Sequence, residues 1–129
     1  MREEARRWWS QALEDLKAAE QNLKTRLYFV CAFFSQQAAE KALKALYIEA
    51  KREPQPRTHD LTELGKVLNV PGDIMDSLIE LNPGFVVARY PDAANGIPAN
   101  MYNERIASSH LEKARKVIEW AKEKLVIKS

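Results

Sequence analysis

Apolar residues recur along this chain at spacings of three and four, the period of one face of an α-helix. From Arg2 to Lys24, Ala5, Trp8/Trp9, Ala12, Leu16, Ala19 and Leu23 trace such a face and predict a first helix. From Leu27 to Arg52 two stripes run side by side. One is Leu27, Val30, Phe34, Ala38, Ala42 and Ala45; the other is Ala32, Ala39, Leu43 and Leu46. Two stripes make a wide apolar face, so the second helix is predicted to be central. The prolines of "EPQPR" forbid its continuation. A short third helix, "HDLTELGKVL", has Thr58 or Asp60 as its cap. "NVPGD" breaks it, and Asp73 is placed to cap a fourth, "IMDSLIEL", which stops at "NPG". The last helix runs from about Tyr102 to Ile127. Its Ala107, Leu111, Ala114, Ile118, Ala121 and Leu125 form a narrow seam suited to close packing.

Residues 83–101, "PGFVVARYPDAANGIPANM", are the only long irregular stretch, and "FVVARY" within it is the only segment with strand character. Loops of this length inside compact domains are uncommon and often functional. The expected architecture is all-α: an antiparallel, up-and-down bundle of four to five helices, one domain over residues 1–129.

Charge and composition narrow the classes. At 129 residues the chain can bury one core without covalent staples. Cys31 is the single cysteine, which excludes an internal disulfide and reads as core filler. The longest apolar run, Leu27 to Phe34, is far shorter than the roughly 20 residues of a membrane span. "MREEARRWW" lacks a signal-peptide core, so the expected setting is cytoplasmic, away from membranes. Net charge is only +2, but it is uneven. Residues 60–82 hold Asp60, Glu63, Asp73, Asp76 and Glu80 against Lys66 alone, net −4, which leaves +6 elsewhere. A basic connector, Lys51-Arg52…Arg57, and the tail from Lys113 to Lys128 carry much of that. Such polarity can steer RNA or an acidic partner to one face; it also describes two ordinary solvated faces of opposite sign.

The candidate chemistry is sparse. No glycine-rich phosphate loop, HExxH, EF-hand loop or zinc spacing occurs, so no metal and no cofactor is expected. His59 and His110 are the only near-neutral acid–base groups. His59 opens the third helix, whose N-terminus disfavours an imidazolium, leaving a base or a hydrogen-bond acceptor; a packing or capping role competes with this. His110 lies beside the apolar seam of the last helix. In the second helix Gln36, Glu40 and Lys44 share a face, and Gln37 and Lys41 share the next. Ser35 falls in line with Ala32, Ala39 and Ala42 and lets a neighbouring backbone approach. Ser35, Gln36 and Gln37 are either interface residues, between helices or subunits, or simply solvated glutamines beside an ordinary helix pair. In the long loop, Arg89 and Tyr90 combine a cation with an aromatic ring, which suits phosphate and base contacts. Alternatively Tyr90 plugs the bundle end and Arg89 pairs with an acid of helices three or four. Tyr102 and Asn103 either cap the last helix or complete a polar cleft with His59 and Arg89.

"SQQAAEKALKALY", then "HDL", "ARYPD" and a final "Y…A…H…A" helix, in that order, closely resemble the HEPN domain family over about Glu4 to Glu123. The resemblance implies a small helical bundle that pairs as a homodimer. It also implies association with minimal nucleotidyltransferases, often in toxin–antitoxin pairs. Several branches of the family are metal-independent endoribonucleases marked by an arginine and a histidine four to six residues apart. There the histidine handles the 2′-hydroxyl proton and the arginine stabilises phosphoryl charge. Arg105-Ile-Ala-Ser-Ser-His110 fits the shortest spacing and Arg52…His59 the longest. Ile106 stands where the family has a polar residue, two prolines separate Arg52 from His59, and one helix turns Arg105 and His110 about 140° apart. The function expected is a dimeric nucleotide- or RNA-binding or interaction module, with His59, Arg89, Tyr90 and Tyr102 as ligand residues and a nucleotidyltransferase as partner. An endoribonuclease toxin using Arg105 and His110, and a purely structural dimer, are the alternatives.

Overall fold

The computed structural model describes residues 1–128, with side chains through residue 126. Three long helices follow the periodicity closely: α1 (Glu3–Lys24), α2 (Tyr28–Lys51) and α7 (Glu104–Lys128). Between α2 and α7 lie α3 (Leu61–Val67), α4 (Gly72–Leu81), the single turns α5 (Gly84–Val87) and α6 (Pro91–Ala94), and a 3-10 turn at Pro98–Met101. The bundle is all-α, with no strand among the described residues. It has more elements than the four to five expected, because the stretch 83–101 is wound into short turns. "FVVARY" is one of them: Pro83 starts the turn and the Val87 and Tyr90 amides close onto Pro83 and Val86 carbonyls.

Helix α2 is central, as two apolar stripes require. It packs along α1 on one side and α7 on the other, and Ala32, Ala38, Ala39, Ala42, Leu43 and Ala45 are fully buried. Alanine along both α2 and α7 lets the axes come close without voids. The main core joins Ala39 and Leu43 of α2 to Leu61, Leu64, Ile74, Leu78 and Leu81 of α3 and α4, with Ala114 and Val117 of α7. The α7 seam from Ala107 to Leu125 is buried throughout. Helix α2 ends where Arg52 turns left-handed (φ 59°), just ahead of Pro54 and Pro56.

Caps divide between expectation and correction. Asp60 caps α3, accepting from the Thr62 and Glu63 amides. Pro71, not Asp73, precedes α4, which starts earlier than the apolar pattern alone predicts; Asp73 sits in its first turn. Asn103 Oδ1 accepts from the Ile106 amide and so caps α7. Trp8 and Trp9 are half-buried. Trp9 packs against the cluster of Ala12, Ala38, Ala42, Ile118 and Ala121, and the Lys44 ammonium stands 5.4 Å from the Trp8 ring centre. The acidic and basic segments are not two opposed faces. α4 lies along α7, with Lys113 on Glu80 (2.7 Å) and Lys116 on Asp73 (3.3 Å). No helix among the described residues is long and apolar enough to cross a membrane.

Candidate functional site

The Gln36–Glu40–Lys44 face of α2 is polar and buried at once. Gln36 is fully buried, and Glu40 and Lys44 are each 3% exposed. Charges so placed need partners, since an unpaired buried ion costs several kcal/mol. Here every one is met. Lys44 Nζ lies 3.2 Å from Glu40 Oε2. Gln36 Nε2 donates to Glu40 Oε1 (3.1 Å) and to the His59 carbonyl (3.3 Å). His59 Nδ1 sits 3.0 and 3.2 Å from the two Glu40 oxygens. The expectation of a base at the start of α3 rested on the helix terminus alone; a carboxylate also faces the ring.

The backbone around His59 is pinned from three sides. Asp60 caps α3, the Leu61 amide donates to Asn82 Oδ1 (2.8 Å), and Asn82 Nδ2 donates to Asp60 Oδ1 (2.9 Å). The Thr62 hydroxyl and Asn82 amide hold the Asp60 carboxyl below the usual carboxylate range. The third side is α5. Its Gly84 approaches α2 so closely that a Cβ there would stand 3.2 Å from the Ala32 carbonyl oxygen. That approach brings Phe85 to His59, and the two rings stack at 4.3 Å with planes 18° apart.

Arg89 follows one turn later. Its Nε donates to the Phe85 carbonyl (2.7 Å), and its guanidinium lies 4.4 Å from the Phe85 ring centre, 4.8 Å from Tyr90 and 4.9 Å from Phe33. Among the described residues no carboxylate pairs with it. The alternatives for this loop therefore do not hold: Arg89 is not tied to an acid of α3 or α4, and Tyr90, 51% exposed, plugs nothing. Phe85 thus carries an imidazole and a guanidinium, and one ring face is too small for both. His59, Arg89 and Tyr90 come together around it.

The remaining candidates fall elsewhere. Ser35 and Gln36 are wholly buried within the one chain, and Gln37 is half-buried between α1 and α2. Gln37 donates to Gln36 Oε1 (2.8 Å) and accepts from Lys41 (2.9 Å), which also reaches Asp15 (2.7 Å). The glutamines are neither solvated nor idle; they link α1 through α2 to His59. Tyr102 packs edge-on to His110 (5.9 Å, 73°) and makes no hydrogen bond or ring contact with His59 or Arg89. Burial holds the His110 pKa below its ordinary value of 6.5 and raises that of Tyr102. His110 Nδ1 is buried without a hydrogen-bond partner. Arg105 is exposed and does not meet His110, as the helical turn between them requires. Arg52 caps α2 and does not meet His59. Cys31 is buried, which pushes its thiol pKa up, as for an inert core cysteine. No group of three metal-ligating acids, histidines or cysteines forms among the described residues.

The sequence did not point to Glu40 as the partner of His59, nor to Phe33 and Phe85 as the rings around Arg89. The shared face of Gln36, Glu40 and Lys44 was the available signal for the first. The second had none, because Phe85 lies in a segment without clear periodicity. A groove of about 670 Å³ lies elsewhere, between α4 and α7. Its cations are already paired: Lys113 with Glu80, Lys116 with Asp73 and Arg115 with Glu20.

Comparison with known proteins fits this architecture. The HEPN domain model matches residues 5–125. A Thermus thermophilus protein of known crystal structure is similar at 32% identity and TM-score 0.84, over 93% of this chain and 97% of that one. An archaeal HEPN homologue is similar at 32% identity and TM-score 0.80, over 92% and 95%. An HEPN domain protein from Thermotoga maritima is similar at 27% identity and TM-score 0.74, over 93% and 98%. No curated protein sequence matches the chain. With a family model spanning nearly its whole length and the same fold in these relatives, the chain belongs to the HEPN domain family.

Proposed function

We propose that this protein is a dimeric nucleotide- or RNA-binding module whose ligand site is Arg89, His59 and Tyr90 around Phe85. It works beside a minimal nucleotidyltransferase in a toxin–antitoxin-like pair. One observation carries the binding reading: Arg89 is a permanent cation held among three aromatic rings and left without a carboxylate. A guanidinium satisfied by an internal acid is structural. One that is oriented, exposed and uncompensated is suited to phosphate, and the exposed Tyr90 ring beside it suits a stacked base. The dimer draws support from exposed apolar side chains near the site: Val86, Tyr90, Ile97 and Met101 are 40–62% exposed. The nucleotidyltransferase partner rests on the family resemblance. Fluorescence anisotropy with a single-stranded oligouridylate tests the binding reading. Arg89→Ala is expected to weaken binding at least tenfold, and affinity is expected to fall as salt rises. Binding indifferent to both removes it.

A metal-independent endoribonuclease is the second reading, and the Glu40–His59 geometry favours it. A carboxylate on Nδ1 fixes the tautomer and leaves Nε2 to act as a base. Arg105 and His110 enter this reading only through a dimer cleft that brings one protomer's arginine to the other's histidine. Cleavage of single-stranded RNA in EDTA, lost in His59→Ala or in His110→Ala, identifies the base; intact RNA ends the reading.

A further inference from the structure

A second place on the molecule combines an apolar wall with unpaired charge. It lies where α2 finishes, and three elements enclose it: the end of α2, the joint between α3 and α4, and α7. Its volume is about 330 Å³, the scale of a small-molecule site. Leu46, Leu68 and Trp120 supply the apolar wall; Leu46 is buried, and Leu68 and Trp120 pack against the main core. Lys51, Lys124 and Asn69 are exposed around it.

Its charges are unlike those of the groove between α4 and α7, where acids line the walls and the cations are paired. Here no acid lines the cavity, and neither lysine pairs with a carboxylate among the described residues. A lysine in a last turn suits the helix dipole, which accounts for Lys51. It does not account for Lys124, a full turn before the end of α7. Two cations beside one cavity with no acid between them repel each other, and an anion removes that repulsion. Trp120 is unclaimed as well. Lys44 stands over Trp8, but among the described residues no ring or cation stands over Trp120, and its indole N–H meets no acceptor. None of the six residues makes a hydrogen bond, ion pair or ring contact with His59, Phe85 or Arg89.

We propose that this cavity is a second binding site, for a small aromatic anion: a ring against Trp120 and the two leucines, and a carboxylate or phosphate held by Lys51 and Lys124. The apolar wall calls for a flat apolar body, and the lysines for a negative group on it. An ammonium is a point charge on a flexible stem, so it takes either kind of anion. Asn69 adds an amide that makes no hydrogen bond through its side chain among the described residues. A cavity of this size, enclosed by three elements, takes a compact ligand rather than an extended strand. The site therefore stands apart from the RNA surface around Arg89 and does not depend on it.

The test is proton–nitrogen NMR of the tryptophan indole N–H groups, with the Trp120 signal assigned by its loss in Trp120→Phe. Phenyl phosphate, phenylacetate and uncharged phenylacetamide are titrated in turn. The anions are expected to move the Trp120 signal and leave those of Trp8 and Trp9 in place. Phenylacetamide is expected to bind at least about tenfold more weakly, as loss of a charged partner implies. The double variant Lys51→Gln, Lys124→Gln changes two exposed side chains and is expected to bind the anions no tighter than the amide. Circular dichroism checks that it stays folded. Tighter binding of phenyl phosphate assigns the site to phosphate esters, tighter binding of phenylacetate to carboxylates, and equal binding to both. No movement at Trp120 with either anion, amide binding as tight as theirs, or unchanged anion binding by the folded double variant overturns the inference. So does a single-stranded oligouridylate that moves the Trp120 signal, since the cavity then belongs to the RNA surface. Absence of oligouridylate binding, with Trp120 still answering the anions, removes the RNA reading and leaves this site standing.

Discussion

Glu40 meets Lys44, Gln36 and His59 from a position that is 3% exposed. Its removal leaves Lys44 buried and unpaired beside the Trp8 ring. Breaking a buried pair from one side costs about 3–5 kcal/mol, because the remaining charge is uncompensated. Glu40→Ala is therefore expected to lower unfolding free energy by that amount in denaturant titration. A loss under about 1 kcal/mol would mean that Lys44 reaches solvent unaided. The spacing of Glu40 and Lys44 on one helix face is legible in the sequence, but only as an ordinary surface pair. What covers it is His59, at the end of the 52–60 connector, against Glu40 and the Trp8 ring of α1 against Lys44, and no local pattern announces either contact.

His110 makes a separate residue-scale case. Burial lowers its pKa from 6.5, so the unfolded chain binds its proton more readily than the folded one. Its contribution to stability is whole above that ordinary value and is lost as pH falls through it toward the folded pKa. Thermal melts of His110→Leu are expected to show a shallower loss of stability between about pH 7 and pH 5 than the parent. Identical slopes would show that His110 remains solvated. The helical turn between them, about 140°, is why the Arg105–His110 spacing, legible in the sequence, does not assemble a site within one chain.

Among the elements, the three longest were readable because their apolar faces repeat over many turns. The short ones were not. α5 and α6 are four residues each, too brief for any period to emerge, and they form where Pro83 and Pro91 start turns, α5 against α2 and α6 against α5. Yet α5 positions Phe85, and Gly84 sets its distance from α2. A Cβ at Gly84 meets the Ala32 carbonyl at 3.2 Å and the Gln36 Cβ at 3.4 Å, so α5 must shift. Gly84→Ala is expected to weaken RNA binding several-fold while costing at most about 1–3 kcal/mol of stability. Unaltered binding by the folded variant would show that the Phe85 position is not critical. The marks of family membership, "SQQ", "HDL" and "ARYPD", are separated by many residues in sequence. Gln36, His59 and Arg89 within them converge, because the connector and α5 fold back over one face of α2.

For the whole molecule, α4 against α7 brings acidic and basic segments into mutual contact, so net polarity is a weaker steering force than the sequence suggests. The polar chain from Asp15 through Lys41, Gln37 and Gln36 to Glu40 ties α1 to the candidate site, and its members are buried or half-buried. The wide apolar face of α2 is used up inside the chain, so the proposed dimer must use other surface. Sedimentation velocity at micromolar concentration is expected to give a dimer that Ile97→Glu dissociates; a parent that stays monomeric removes the dimer. The central claim is where the ligand sits, and side-chain NMR during titration with 5′-phosphorylated pentauridylate tests it most directly. Shifts are expected at the His59 and Phe85 rings and the Arg89 Nε–H, with His110 unmoved. Shifts gathered at His110 and Arg105, with His59 and Arg89 silent, would contradict it.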